Sequence, residues 1–215
     1  MARIDDYKAA AELAWQSLKG KDVELVARLS GGRLERGSRQ GVGITLTFLN
    51  KNLHIGWPDM AFSVEGSDDE PPLQEQVLVL HYLVGSNGPL TPGDWISFQQ
   101  VPDGRFYMDA FMKRARDPMV SAFGERPETL VQLAEKVYKT RPLDYGDFSI
   151  VVQALPHVPV ALILWKGDEE FPPDGSILFD ESISGILSAE DIAWLAGMTV
   201  YPLIGMAGKE KDLSE

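Results

Sequence analysis

The sequence contains no cysteine, only three histidines, and fewer basic than acidic residues. The absence of cysteine excludes disulfide bonds, thiolate chemistry and iron–sulfur ligation by this chain itself. With 20 lysines and arginines against 32 aspartates and glutamates, the formal net charge is −12. Such a charge disfavours binding to phosphate backbones and anionic membranes. The small basic cluster of Lys113, Arg114 and Arg116 is too small to reverse this for nucleic acid.

Long apolar runs are also missing. The longest, Val158 to Trp165, contains Pro159 and is far shorter than the roughly 20 residues that cross a bilayer. The N-terminal stretch is amphipathic and acidic, without the basic start and apolar centre of a signal peptide. The sequence therefore predicts a cytoplasmic protein with neither a membrane nor a nucleic acid as partner, and leaves a homo-oligomer open.

Common catalytic motifs are absent as well. The GVG at 41–43 lacks the third glycine of a dinucleotide-binding loop, and GxxxxGK[ST], HExxH and GxSxG do not occur. The three histidines are dispersed. The strand pattern predicts solvent exposure for His54, the helical spacing predicts partial burial for His81, and His157 lies in a turn. These patterns leave open whether the protein is an enzyme.

The size and composition of the chain predict one domain. Its 215 residues are 44% hydrophobic, enough for a single sizeable core. The acidic, proline-containing segment at 65–72 is the best candidate for a break, and its shortness indicates a surface loop. We therefore expect residues 1–215 to fold as one domain.

Apolar periodicity predicts both helices and strands. Alternation on either side of Asn50 to Asn52 indicates a β-hairpin within 42–57, and residues 95–108 indicate two short strands around a turn at 102–104. Helical spacing predicts helices from residue 5 or 6 to 18, at 22–29, 73–84, 110–123 and 127–139, and from Ser188 until Pro202 kinks or ends the last one.

The most apolar part of the chain predicts the centre of the fold. Residues 148–155 and 158–165 are apolar on both faces, which is typical of strands covered on two sides. Only Pro156 and His157 separate them, so they should form an antiparallel hairpin. The predicted class is α+β, with a mainly antiparallel sheet, a central hydrophobic hairpin at 148–165 and helices packed against it.

An acidic stretch follows this hairpin. Asp168, Glu170 and Asp180 supply the carboxylate oxygens that a divalent cation such as magnesium, calcium or manganese prefers. Two interpretations stay open, a metal site and a solvated turn. Asp180 follows a buried strand, so it must be hydrogen-bonded, and capping the next helical turn is the simplest role for it. The alternative is a carboxylate that faces a pocket.

A pocket for a small ligand is the other candidate site. Aromatic walls with a few polar groups are typical of such pockets. The alternative is that the two tryptophans belong to the core. The candidate ligand-binding residues are Trp95, Asp144, Tyr145, Asp147, Trp165, Phe171 and Ser182.

Four stretches of the sequence resemble a known family. They are WISFQQVPDG at 95–104, DYGDFSI at 144–150, LPHVPVALILWKGDEEFPP at 155–173 and ILFDESISGILSAEDIAWLAG at 177–197. Together they resemble domain of unknown function 3786, an uncharacterised family of anaerobic bacteria and archaea. Some relatives carry an N-terminal four-cysteine module similar to that of corrinoid iron–sulfur proteins, which this cysteine-free chain lacks.

The resemblance implies a link to anaerobic corrinoid or one-carbon metabolism, and it transfers no catalytic residues. Two functional hypotheses follow. The first is a non-catalytic module that binds a small ligand, or serves as an accessory to a corrinoid or iron–sulfur protein partner. The second is a divalent-metal-dependent hydrolase or transferase that uses the acidic turn at 168–182, with the cation activating water.

Overall fold

The computed structural model describes residues 4–37, 41–67, 69–89 and 91–212. The chain forms two compact units. The first comprises Met1–Thr91, Leu155–His157 and Gly185–Leu187, and the second Pro92–Ala154, Val158–Ser184 and Ser188–Glu215. The segment at 65–72 lies inside the first unit, and the long first segment of that unit ends at Thr91. The expectation of one domain stays a prediction.

The first unit pairs helices with an antiparallel sheet whose strand order is β1-β2-β3-β4. Its helices are α1 (Ile4–Leu18), α2 (Val23–Ser30) and α3 (Leu73–Gly85), and its strands are β1 (Arg33–Gly37), β2 (Gly41–Phe48), β3 (Lys51–Trp57) and β4 (Phe62–Val64). The hairpin predicted within 42–57 is present as β2 and β3. One face of this sheet is apolar and buried, because Ile44 pairs with Ile55 and Leu46 with Leu53.

The turn Leu155–His157, from the C-terminal half of the chain, belongs to the first unit. Tyr82 on α3 is fully buried, and its hydroxyl donates a hydrogen bond to the Ser30 carbonyl at 2.7 Å. The same hydroxyl accepts one from the His157 amide at 3.2 Å. The His157 Nε2 lies 3.1 Å from the Leu29 carbonyl. The polar atoms of this turn are thus tied to the end of α2.

The second unit contains a five-stranded antiparallel sheet of order β5-β9-β8-β7-β6. The central β7 and β8 are the predicted hydrophobic hairpin, which is confirmed. The strands are β5 (Trp95–Ser97), β6 (Thr140–Pro142), β7 (Phe148–Leu155), β8 (Val158–Trp165) and β9 (Asp174–Asp180), and the helices are α4 (Gly104–Phe111), α5 (Asp117–Phe123), α6 (Pro127–Val137) and α7 (Ala189–Asp212).

Helices bury one face of this sheet. Phe179 on β9 meets the rings of Phe98 and Phe111, which stack at 4.3 Å between centroids. Val160 and Leu162 on β8 are fully buried. The alternation of strand side chains then directs Ala161, Ile163 and Trp165 to the opposite face.

One sequence prediction is wrong in this unit, and one of the two alternatives predicted at Pro202 is excluded. The predicted second strand after 102–104 is helix α4, because the apolar run Phe106 to Met108 is too short to distinguish a strand from a helix. For Pro202 the sequence predicted either a kink or an end of the last helix, and the end does not occur, because α7 continues to Asp212. Pro202 is exposed, whereas Val200 and Leu203 are fully buried, so packing on both sides of the proline holds the helix in place.

Candidate functional site

Large apolar side chains collect on the second face of the five-stranded sheet. Trp95, Leu143 and Trp165 are each partly buried and pack against one small cluster. The cluster is buried and consists of Val151, Ala161, Ile163 and Leu178. The two tryptophans that the sequence suggested for one pocket thus pack against the same cluster, each pairing with a different end of β9, and both are partly buried.

Tyr145 and Arg141 extend this surface. The Tyr145 side chain is 51% exposed, and its ring meets Trp165 edge-on, with 6.2 Å between centroids. The Arg141 guanidinium lies 5.7 Å from the centre of the Trp95 ring, within range of a cation–π contact. We name Trp95, Arg141, Leu143, Tyr145 and Trp165 the aromatic face.

The loop that carries Tyr145 is held by specific contacts. The Ser149 hydroxyl donates a hydrogen bond to the Leu143 carbonyl and accepts one from the Tyr145 amide. Gly146 has a φ of +66°, and a Cβ there would lie 2.7 Å from the Ile163 side chain. The loop therefore passes close over β8, and only glycine fits at this point.

The two predicted aspartates of this loop differ in role. Asp147 Oδ2 accepts a hydrogen bond from the Lys166 amide at 2.8 Å, and the Asp147 amide donates one to the Leu164 carbonyl. Asp147 therefore joins the loop to β8. Asp144 is exposed and stands beside Tyr145, where it adds negative charge to the border of the aromatic face.

Asp168 organises the turn that follows β8. Its Oδ1 accepts hydrogen bonds from the Glu170 and Phe171 amides, each at 2.8 Å. The hydrogen bond from the Phe171 amide, followed in size of effect by that from the Glu170 amide, lowers the pKa of Asp168 below its usual value. The Glu170 side chain is exposed, and Phe171 is 66% exposed at the tip of the turn.

Asp180 caps the turn after β9, as its position in the sequence indicated. The residue is only 6% exposed. Its Oδ2 accepts a hydrogen bond from the Gly93 amide at 2.8 Å, and its Oδ1 accepts one from the Ser182 amide at 3.0 Å. The buried carboxylate thus has partners at both oxygens, and Ser182 contributes its backbone to this cap.

The three carboxylates considered as metal ligands are divided between opposite ends of β9. Asp174 pairs with Trp165 at one end, and Asp180 pairs with Trp95 at the other, about 20 Å away at the usual rise of a strand. Asp168 and Glu170 belong to the turn at the Asp174 end. Across the described ranges, no group of three or more histidine, aspartate or glutamate side chains is placed to hold a metal ion. Asp168, Glu170 and Asp180 therefore do not form one ligand set in this structure.

The first unit contains a polar cavity that the sequence did not predict. It has a volume of about 430 Å³ and lies on the polar face of the four-stranded sheet. His54 was expected to be exposed to solvent, but its side chain is only 15% exposed. The cavity is lined by Glu35, Thr45, His54, Ser63, Val64, Glu65, Gly66 and Ser67.

The family model described as "Domain of unknown function (DUF3786)" matches residues 22–201. The chain belongs to this family. No curated protein and no solved structure matches this chain. In this family member, within the residues that the structure describes, no helix is long and apolar enough to cross a membrane.

The sequence of this family member did not predict the polar cavity, but it placed two of the residues that line it. Alternation along β2 and β3 already placed Thr45 and His54 on the same polar side of the hairpin. The missing part was Glu35, because Leu34 is the one apolar side chain in β1 and a single residue gives no apolar alternation to mark a strand. Its pairing with β2 brings Glu35 to the cavity.

Proposed function

We propose that the protein is a non-catalytic accessory module that binds a partner protein through its aromatic face. The observation that carries this proposal is the grouping of two tryptophans, one tyrosine and one arginine on a single side of the sheet. Tryptophan, tyrosine and arginine are the residues that most often dominate binding energy at protein interfaces. Trp95 and Trp165 are anchored on the buried cluster, so little conformational entropy is lost when a partner covers them.

Charge around the aromatic face favours a partner with a basic surface. Asp144 is exposed directly beside Tyr145, and the turn that follows Trp165 carries the exposed Asp168, Glu169 and Glu170. The chain as a whole has a formal charge of −12. Complementary charges speed association and exclude partners of like charge, so acidic surfaces are poor candidates.

The family resemblance suggests the class of partner. We propose a corrinoid or iron–sulfur protein in the cytoplasm of an anaerobe. Because this chain has no cysteine, thiolate ligands for a cluster would have to come from the partner. The chain would then act as an accessory to redox or corrinoid chemistry that the partner performs.

Site-specific photo-crosslinking tests the proposal. A photoreactive phenylalanine analogue replaces Tyr145 in the full chain, which is expressed in cells of the source organism. The matched control carries the same analogue at Phe106, an aromatic side chain that is 84% exposed on α4 of the same unit. We expect one partner to crosslink at position 145 and not at 106, and mass spectrometry to identify a corrinoid or iron–sulfur protein.

Other outcomes contradict the proposal. Equal crosslinking at both positions would mean that the aromatic face has no special affinity. A crosslink only to a second copy of the chain would make the face a homo-oligomer interface. A small-ligand site would appear instead as quenching of tryptophan fluorescence by a metabolite extract, without any protein adduct.

The alternative of a divalent-metal-dependent hydrolase or transferase has less support. Its three carboxylates are divided between the two ends of β9. Asp168 and Asp180 each already accept two hydrogen bonds from backbone amides. Isothermal calorimetry with magnesium, manganese and calcium decides between the two hypotheses. Saturable binding that Asp168→Asn abolishes would favour the metal-dependent enzyme.

A further inference from the structure

The polar cavity of the first unit is built on two rows of the four-stranded sheet. Cross-strand pairing aligns Arg33, Thr45, His54 and Ser63 in one row. The neighbouring row contains Glu35, Gly43 and Gly56. Since residues two apart on a strand share a face, both rows line the same side of the sheet.

Gly43 makes room for the imidazole of His54. A Cβ at Gly43 would lie 2.5 Å from His54 Cε1 and 2.8 Å from Nε2, so the ring rests directly on the backbone of β2. Gly56 pairs with Gly43 across the sheet. A second hollow of about 290 Å³ adjoins here and shares Glu35 and His54 with the first cavity.

Thr45 and Glu35 orient the imidazole. His54 Nδ1 lies 3.3 Å from Thr45 Oγ1 and 3.6 Å from Glu35 Oε2. The Glu35 carboxylate can only accept hydrogen bonds. The Thr45 hydroxyl donates its hydrogen to Glu35, so its oxygen can accept one from His54 Nδ1–H. The arrangement therefore favours the tautomer with hydrogen on Nδ1, which leaves Nε2 as an acceptor. Among the described residues, Nε2 has no hydrogen-bond partner.

The charged groups around the cavity are predominantly negative. Among the described residues, Glu35 and Glu65 both line it, and Arg33 Nη2 lies 2.7 Å from Glu35 Oε1 and 3.6 Å from Glu65 Oε1. Glu65 Oε2 also accepts a hydrogen bond from the Asn52 amide group at 2.7 Å. Arg36, which lines the second hollow, pairs with Glu24 at 2.9 Å. The hydrogen bond from Arg33 keeps the pKa of Glu35 below its usual value, so the carboxylate is charged at neutral pH. The two carboxylates share the Arg33 guanidinium, which leaves a net negative charge at the cavity that His54 also lines.

We propose that this cavity binds a small organic cation, whose ammonium or guanidinium group lies against the carboxylates of Glu35 and Glu65 beside Arg33 and donates one N–H to His54 Nε2. The volume lies in the range of small-molecule sites. Acceptor oxygens and an acceptor nitrogen suit a ligand rich in N–H donors, and the carboxylates repel anions. This site is separate from the aromatic face, which belongs to the other unit.

Titration followed by amide chemical shifts of the full chain tests this inference. The probes are methylguanidinium, butylammonium, inorganic phosphate and glucose at equal ionic strength. We expect saturable shifts of Thr45, His54, Ser63, Gly66 and Ser67 with the two cations only. In Glu65→Gln the affinity should fall roughly tenfold, the usual order for one charge-assisted hydrogen bond, while Glu12→Gln, an exposed change of equal charge on α1, should have no effect.

Glu35→Gln supplies a second variant, with the same loss expected. Since it also removes the Arg33 pair, its fold is checked by the dispersion of the amide spectrum. The inference is overturned if phosphate or glucose binds here and the cations do not, if the cations shift residues elsewhere in the chain, or if Glu12→Gln weakens binding as much as Glu65→Gln.

Discussion

The buried cap at Asp180 allows a quantitative prediction. Replacing Asp180 with alanine removes the acceptor of two amide hydrogen bonds, from Gly93 at 2.8 Å and from Ser182 at 3.0 Å. Asp180 is 6% exposed, so water replaces these bonds poorly. Hydrogen bonds to a charged group contribute about 1.5 to 3 kcal/mol each, and part of this is recovered when the turn relaxes. We expect Asp180→Ala to lower the free energy of unfolding by about 2 to 4 kcal/mol.

Asp168 provides the matched control for this experiment. It also accepts two amide hydrogen bonds, from Glu170 and Phe171, but its turn is exposed. We therefore expect Asp168→Ala to cost clearly less than Asp180→Ala. Asp180→Asn should be intermediate, because its amide oxygen can accept one of the two bonds while its NH₂ faces the other donor.

Urea denaturation followed by circular dichroism measures these differences, with the slope of the transition checked for each variant. If Asp180→Ala costs no more than Asp168→Ala, burial does not set the value of these hydrogen bonds. Stabilisation of the wild type by added magnesium, but of neither variant, would point to metal ligation instead of capping.

Two further predictions concern pH and a buried hydroxyl. The pKa of Asp168 is lowered from its usual 3.8, so its stabilising effect is present at neutral pH and is lost as the pH falls through the folded-state pKa. The stability difference between the wild type and Asp168→Asn should thus vanish in acid, and a pH-independent difference would refute the assignment. Tyr82→Phe removes a fully buried hydroxyl that bonds the Ser30 carbonyl and the His157 amide, and should cost about 1 to 3 kcal/mol. Thermal denaturation would count against this if Tyr82→Phe unfolded at the wild-type temperature.

Much of the fold could be predicted from local sequence patterns. The hairpin of β2 and β3 follows from alternation around a polar turn, and that of β7 and β8 from two apolar runs joined by two residues. The capping role of Asp180 followed from its position after a buried strand. These predictions succeed because the forces involved act between residues close together in the chain.

Predictions failed where local patterns were weak or tertiary packing prevailed. The short run Phe106 to Met108 is compatible with either a strand or a helix, and packing of Phe111 on Phe98 accompanies the helix. Pro202 marks a helix end by local rules, yet the burial of Val200 and Leu203 accompanies continuation of α7 through it. The acidic stretch shows the limit of proximity in sequence, because β9 separates Asp168 from Asp180 in the fold.

The candidate sites show the same division. The sequence by itself determined the α+β class, the absence of thiolate chemistry, the acidic surface and the residue types that could form a site. Only the tertiary structure decided which of them meet: β9 lies between β5 and β8 and brings Trp95 and Trp165 to one cluster, and the register of β1 against β2 brings Glu35 to His54. The physical reason is that sheet register is set by pairing between distant segments, and a shift of one residue would turn each of these side chains to the opposite face.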